Sequence, residues 1–336
     1  MSLPKSVLIF TYLTPFLLLL CLAGCRSEVS DPESQPSSSA SSEQAEPLIP
    51  VLVTVDPLRW IVEQIGGDLV QVSVFVPAGR EPETFAPSPR QMSQLADHKV
   101  FFRAGLACEL PLLAKLNSLA PEMKIVDLRD GLNMLADAHD HAGDVGKRSE
   151  HEHEGHEEHC ACQGLDGLDP HFWMSPECVR ESLQTVTKEL STQRPEKSEV
   201  FEANRKATAE RLTSLQETIR ATVTLMPQRV LLVYHPAYGY FCREFGLEQL
   251  SVEVDGKSPK PAALGALIRQ IKEKGIKKII IQPEFSGSSV ESILSGSELT
   301  AFVHSPLNPD YEANLHELND FLREEALQNP DSGYNK

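Results

Sequence analysis

Residues 51–76, VLVTVDPLRWIVEQIGGDLVQVSVFV, pass from strand to helix and back to strand. Val51 to Val55 is a short run of apolar and β-branched residues, the pattern of a buried strand. Pro57 to Ile65 carries helical spacing and is closed by Gly66-Gly67. Val70 to Val76 then reads as the next strand. Strands alternating with helices imply a parallel sheet covered on both faces.

The same rhythm extends outward. Helical spacing resumes at Arg90 to Ala96, and Val100 to Arg103 and Lys124 to Asp127 read as further strands. In the second half, Val230 to Tyr234 is a strand, Ala263 to Lys274 a helix ended by Gly275, and Lys278 to Ile281 a strand. Between the halves, Pro195 to Val223 is one long helical segment with proline in its first turn and apolar positions at Phe201, Leu212, Leu215 and Ile219. At 1.5 Å per residue it would span about 44 Å. The expected fold is therefore α/β, with two similar domains, each a mostly parallel sheet flanked by helices, joined by one long rigid helix. Residues 48–194 would form the N-terminal domain, 195–225 the linking helix and 229–330 the C-terminal domain.

Met1 to Cys25 hold an early lysine and then an apolar run, Val7 to Leu22, as a secretion signal does. Its end, Leu22-Ala23-Gly24-Cys25, resembles a bacterial lipoprotein signal and implies that Cys25 is lipidated. Residues 26–47, rich in Ser, Glu and Pro, are expected to be a disordered tether. The globular part would then lie outside the cytoplasm, anchored to a membrane through lipid. The net charge of -17 opposes nucleic acid and anionic lipid as partners, but not a cation. Of the seven cysteines, Cys108, Cys160, Cys162, Cys178 and Cys242 remain after the signal. That number is odd, so no complete disulfide framework is possible, although a pair such as Cys178 with Cys242 is permitted.

Six of the eleven histidines, His139, His141, His151, His153, His156 and His159, crowd one acidic stretch that runs into Cys160 and Cys162. Such a tract cannot build a core. Imidazoles, thiolates and interleaved carboxylates suit borderline divalent metals. Its irregular spacing and lack of apolar anchors mark it as an accessory loop that collects metal weakly rather than the tight site.

In open α/β sheets ligands sit beyond the carboxyl ends of strands. Three proline-flanked positions qualify there or nearby: Glu83 within Gly79-Arg80-Glu81-Pro82-Glu83-Thr84-Phe85, His171 in Asp169-Pro170-His171-Phe172-Trp173, and His235 in His235-Pro236-Ala237-Tyr238-Gly239-Tyr240. Taken singly, a histidine near aromatics is usually structural and a loop glutamate usually solvated. Together they point to ligands of a divalent metal.

The order of these segments resembles the solute-binding lipoproteins of bacterial ABC importers for zinc and manganese, from Val51 to about Leu322. The resemblance also takes in Pro87-Ser88-Pro89, Asp255-Gly256-Lys257-Ser258-Pro259, Gln282-Pro283-Glu284-Phe285-Ser286 and Ser305-Pro306-Leu307. It implies that His171 and His235 are ligands and that Glu83 stands where the family usually has a histidine. The family's last ligand, commonly Asp or Glu before Pro-Leu, is here Ser305, whose hydroxyl is a poor ligand. That leaves neighbouring His304, or water, as the fourth candidate. The resemblance implies a monomeric binding protein that captures Zn2+, or alternatively Mn2+, in the cleft between the domains and hands it to an ABC permease. It also allows a metal-binding adhesin or sequestration protein. A zinc hydrolase fits less well, because there is no His-Glu-x-x-His helix and no general base tied by motif to the histidines, so no enzyme is expected. The long helix would favour small local shifts over wide opening.

Overall fold

In this computed structural model, which describes residues 47–136, 167–253, 261–284, 293–295 and 297–327, the opening segment forms β1 (Ile49–Val53), α1 (Asp56–Gly66) and β2 (Val70–Val74). Helix α2 (Pro89–Gln94) starts at a capping box in which the Ser88 hydroxyl accepts from the Gln91 backbone N–H. Strand β3 (Val100–Arg103), α3 (Glu109–Leu119) and β4 (Lys124–Asp127) complete the first half. The sheet order is β2-β1-β3-β4, and every one of these pairings is parallel. Val51, Leu52 and Val53 of central β1 are fully buried, as a run without polar alternation requires.

After α4 (Pro176–Gln193) and α5 (Ser198–Thr224) comes the second sheet. It contains β5 (Val230–Val233), β6 (Glu248–Ser251), β7 (Lys278–Ile281) and β8 (Thr300–Val303), in the order β6-β5-β7-β8, again all parallel. The two sheets thus share one topology. Helices α6 (Gly239–Phe245) and α7 (Pro261–Glu273) follow β5 and β6. Gly246 ends α6 in the left-handed conformation, with φ 69°, and lets the Leu247 N–H return to the Cys242 carbonyl.

The long helix expected from Pro195 begins as a 3₁₀ turn over Pro195–Lys197, and α5 itself has 27 residues, about 40 Å. It packs on α1, α4 and α8 (Tyr311–Leu327). Helix α8, last in the sequence, returns to the first half, where the Tyr311 ring lies 4.8 Å from that of Trp60 and Glu312 pairs with Arg211 of α5 at 3.0 Å. Glu244 of α6 ties three helices together. Its Oε2 accepts from Ser175 Oγ (2.5 Å) and Glu177 N (3.1 Å), and its Oε1 from Gln216 Nε2 of α5 (2.6 Å).

One apolar cluster runs from β1 and β3 through α4 and α5 to α6 and α8. A smaller one, including Leu232, Tyr234, Ile271 and Ile279, fills the other face of the second sheet. Successive β5 residues alternate between the two, as a strand's period of two dictates. Cys108, Cys178 and Cys242 are buried free thiols, so the permitted pair of Cys178 with Cys242 does not form. Among the described residues no helix is long and apolar enough to cross a membrane.

Candidate metal centre

Glu83 reaches the site on a loop made of tight turns. The Arg80 N–H donates to the Pro77 carbonyl (3.1 Å), the Phe85 N–H to the Pro82 carbonyl (3.3 Å), and Phe85 folds edge-on against Phe75 at 5.3 Å. Proline at 77 and 82 restricts the backbone that leads to Glu83, so the carboxylate is presented by a stiff segment.

His171 is fixed by its own neighbours. Asp169 Oδ1 accepts from both the His171 backbone N–H (2.9 Å) and Nδ1 (2.8 Å). A 3₁₀ turn, Phe172–Met174, then leads to Ser175, which caps α4 ahead of Pro176. The second half holds this motif from the other side. Tyr240 Oη accepts from the Leu135 N–H (3.0 Å) and donates to the Asp169 carbonyl (2.7 Å), and Trp173 Nε1 donates to the Pro306 carbonyl (2.9 Å). A Cβ at Gly239 would stand 2.9 Å from Asp169 Oδ2, so the approach of α6 requires glycine.

His235 follows β5. Its backbone exchanges two hydrogen bonds with the Gln282 amide, the Gln282 Nε2 donating to the His235 carbonyl at 2.8 Å and Gln282 Oε1 accepting from the His235 N–H at 3.2 Å. Its Nδ1 lies 2.6 Å from Glu253 Oε2. The register explains that contact. Val233 pairs with Ser251, and the Glu253 N–H continues the ladder to the Tyr234 carbonyl, bringing residue 253 abreast of 235.

The structure brings Glu83, His171 and His235 together, with one ligand atom of each within 4.8 Å of the others. Glu83 Oε1 is 4.0 Å from His171 Nε2 and 3.7 Å from His235 Nε2, and the imidazoles meet edge-on at 5.3 Å. With Nδ1–H of both rings donated to carboxylates, both Nε2 lone pairs face Glu83. This is the tautomer and carboxylate-histidine arrangement of metal ligands. Donor atoms on one tetrahedral zinc, each at about 2.1 Å from it, stand roughly 3.4 Å apart, so an ion would draw Glu83 Oε1 about 0.3 to 0.6 Å nearer the two Nε2 atoms. The cavity beside them, lined also by Glu81, Leu106 and Glu284, holds about 20 Å³. That is the room of one ion or water rather than a metabolite. Two larger cavities lie around Gly275 to Lys277, where β7 begins, away from the strand ends that carry this chemistry.

The field is strongly acidic. Burial pushes the Glu81 carboxyl up, and the neighbouring Glu83 adds to that. At His235 burial works to lower the pKa, but the Glu253 hydrogen bond and the Glu83 charge outweigh it and leave the imidazole above its ordinary value.

His304, the fourth candidate from sequence, is not part of the cluster. Its Nδ1 meets Tyr238 Oη at 2.8 Å and its Nε2 the Asn314 carbonyl at 3.0 Å, so both ring nitrogens are used inside the second half, and burial holds its pKa down. Sequence could not choose between the directions available to a residue just past a strand. Asp169 and Glu253 lay within motifs or strand ends, but their roles as imidazole partners emerge only from turn geometry and register. The His139 to His159 tract, Cys160, Cys162 and Cys25 lie outside the described residues.

Known proteins resemble this chain in sequence and fold. A crystal structure of ZnuA is 29% identical, with a TM-score of 0.72, and covers 83% of this chain and 100% of that one. A ZnuA deletion mutant with zinc bound gives 29% identity and a TM-score of 0.71 over 83% of this chain and 97% of that one. The zinc-binding protein AdcA of Streptococcus pyogenes serotype M3 is 27% identical over 291 residues, covering 85% of this chain and 55% of that protein. The chain therefore spans about half the length of the curated relatives it matches first. A profile matches residues 51–324, most of the chain, and so the protein belongs to the family of ZnuA, the periplasmic zinc-uptake complex component A.

Proposed function

We propose that this protein is an extracytoplasmic solute-binding protein that captures one divalent ion, zinc, between its halves and delivers it to an ABC importer in the cytoplasmic membrane. The observation that carries the reading is the convergence of Glu83, His171 and His235 within 4.8 Å, with each imidazole backed by its own carboxylate. Glu83 and His171 come from the first half and His235 from the second, so the ion links the two. Residues 48–194 and 229–330 act as the two binding lobes and 195–225 as the joint. The protein works as a monomer, held at the membrane by lipid on Cys25.

Zinc is favoured by the two imidazoles and by the zinc named for ZnuA and AdcA. Manganese is the second reading, because the Glu83 carboxylate moves the shell toward oxygen. The cavity that Glu83, His171 and His235 line together supports capture of a single ion. Elemental analysis of protein purified from its native compartment tests the reading. One tightly held zinc per chain is expected, lost in the His171→Ala, His235→Ala double variant; a double variant that keeps one tight ion places the site elsewhere.

A further inference from the structure

We propose that Glu284 is the fourth protein ligand of this site and that Ser305 positions it; this rests on the metal-binding function proposed above. Each strand of the second sheet delivers one residue toward the cavity from its carboxyl end: His235 after β5, Glu253 after β6, Glu284 after β7 and Ser305 after β8. Glu284 lines the same cavity as Glu83, His171 and His235.

Its two oxygens are unlike. Ser305 Oγ accepts from the Leu307 N–H at 3.0 Å, so the single hydroxyl hydrogen goes to Glu284 Oε1, with which it is in contact. Glu284 Oε2 is buried and makes no hydrogen bond among the described residues. A buried carboxylate oxygen in that state is costly unless a cation meets it. Glu284 thus repeats the pattern of the other two second-half and first-half ligands, in which one atom is anchored to a fixed partner and the other is left for the ion: His171 on Asp169, His235 on Glu253, Glu284 on Ser305.

The strand register accounts for the contact between Ser305 and Glu284. Strands β7 and β8 pair in parallel, with Ile281 opposite Val303, so the chain just past one strand lies beside the chain just past the other. Ser305, just past β8, is thereby placed to orient Glu284, just past β7. Glu284 stands outside the 4.8 Å cluster, so the ion draws its side chain inward on binding. The resulting shell is two imidazole nitrogens and two carboxylates, suited to a borderline divalent ion.

The test uses the full chain, stripped of metal, with zinc affinity measured by chelator competition and cobalt(II) absorption as the readout of coordination. Glu284→Gln is expected to weaken zinc about 10- to 100-fold and to alter the cobalt spectrum, and Ser305→Ala to weaken it by a smaller factor of about three to ten. Thermal unfolding of the metal-free chains reports folding. The inference is overturned if Glu284→Gln binds zinc within twofold of the unmodified chain, with the same cobalt spectrum, while His171→Ala loses it. Should Glu284→Gln not fold, unchanged affinity in Ser305→Ala overturns it instead. If His171→Ala also keeps its zinc, the proposed function itself fails.

Discussion

His235 and Glu253 are held 2.6 Å apart, Nδ1 to Oε2, by two adjacent parallel strands that end side by side. The carboxylate fixes the imidazole's tautomer and raises the basicity of Nε2, the atom aimed at the ion. Glu253→Gln keeps the shape but removes the charge. It is expected to lower zinc affinity about 10- to 100-fold with little change in the fold, measured by chelator competition beside far-ultraviolet circular dichroism. Undiminished affinity would mean that this contact does not tune the ligand.

Acid should oppose the ion at a higher pH than an ordinary histidine would allow. Zinc needs the neutral imidazole, whereas His235 in the metal-free chain holds its proton above the ordinary 6.5. Affinity is therefore expected to fall as pH drops through a range that opens above 6.5, with protons released on binding near neutrality. The same shift has the opposite sign for the metal-free fold. A raised native pKa contributes stability that is fully present below the unfolded value of about 6.5 and lost as pH rises through the native one. Calorimetric titration in buffers of different ionisation enthalpy reads the proton count, which is expected to rise as pH falls toward 6.5; a count that stays at zero there contradicts the raised pKa.

Gly239→Ala tests the seam between α6 and the Asp169 motif. The new methyl would stand 2.9 Å from Asp169 Oδ2 and 3.3 Å from Leu135 Cδ1, and Asp169 cannot swing freely because its other oxygen holds His171. The expected cost is on the order of 1–3 kcal/mol in urea unfolding of the metal-free chain, together with weaker zinc binding. A variant of full stability and full affinity would show that the seam is soft.

Binding should proceed without wide opening. Glu244 bonds Ser175, Glu177 and Gln216, and so ties α4, α5 and α6 at the joint. The radius of gyration from solution scattering is expected to change by less than about 1 Å when zinc is added. A larger contraction would demand a hinge that these contacts do not allow.

Deleting residues 139–160 removes the histidine-rich tract but none of Glu83, His171 and His235. One strongly bound zinc is expected to remain while additional weak ions disappear, counted by equilibrium dialysis. Loss of the strong ion would transfer the main site to the tract.

Much of this architecture could be read from apolar runs. Val100 to Arg103, Lys124 to Asp127 and Lys278 to Ile281 are strands at the expected bounds, and the first and last of them, central in their sheets, are the buried runs that a parallel sheet covered on both faces requires. The edge strand Glu248–Ser251 is mostly polar and leaves no such signal. Proline beside Glu83, His171 and His235 marked positions of low backbone freedom, which is what a preformed site needs. What sequence could not supply was the sideways register between strands. That register sets Glu253 against His235, turns His304 toward Tyr238 and Asn314, and lays Ser305 against Glu284.

The Tyr311 ring over Trp60 sets an order of events during synthesis. Helix α1 is among the first elements to be made and α8 among the last, so the indole waits for its cover while nearly all of the chain is produced. Contacts this distant in sequence form late, after closure of a very large loop. The Trp60 side of the first lobe would be completed only when the final helix arrives. A fragment stopping short of Tyr311 should behave as a sticky, partly folded species rather than as a weaker binder.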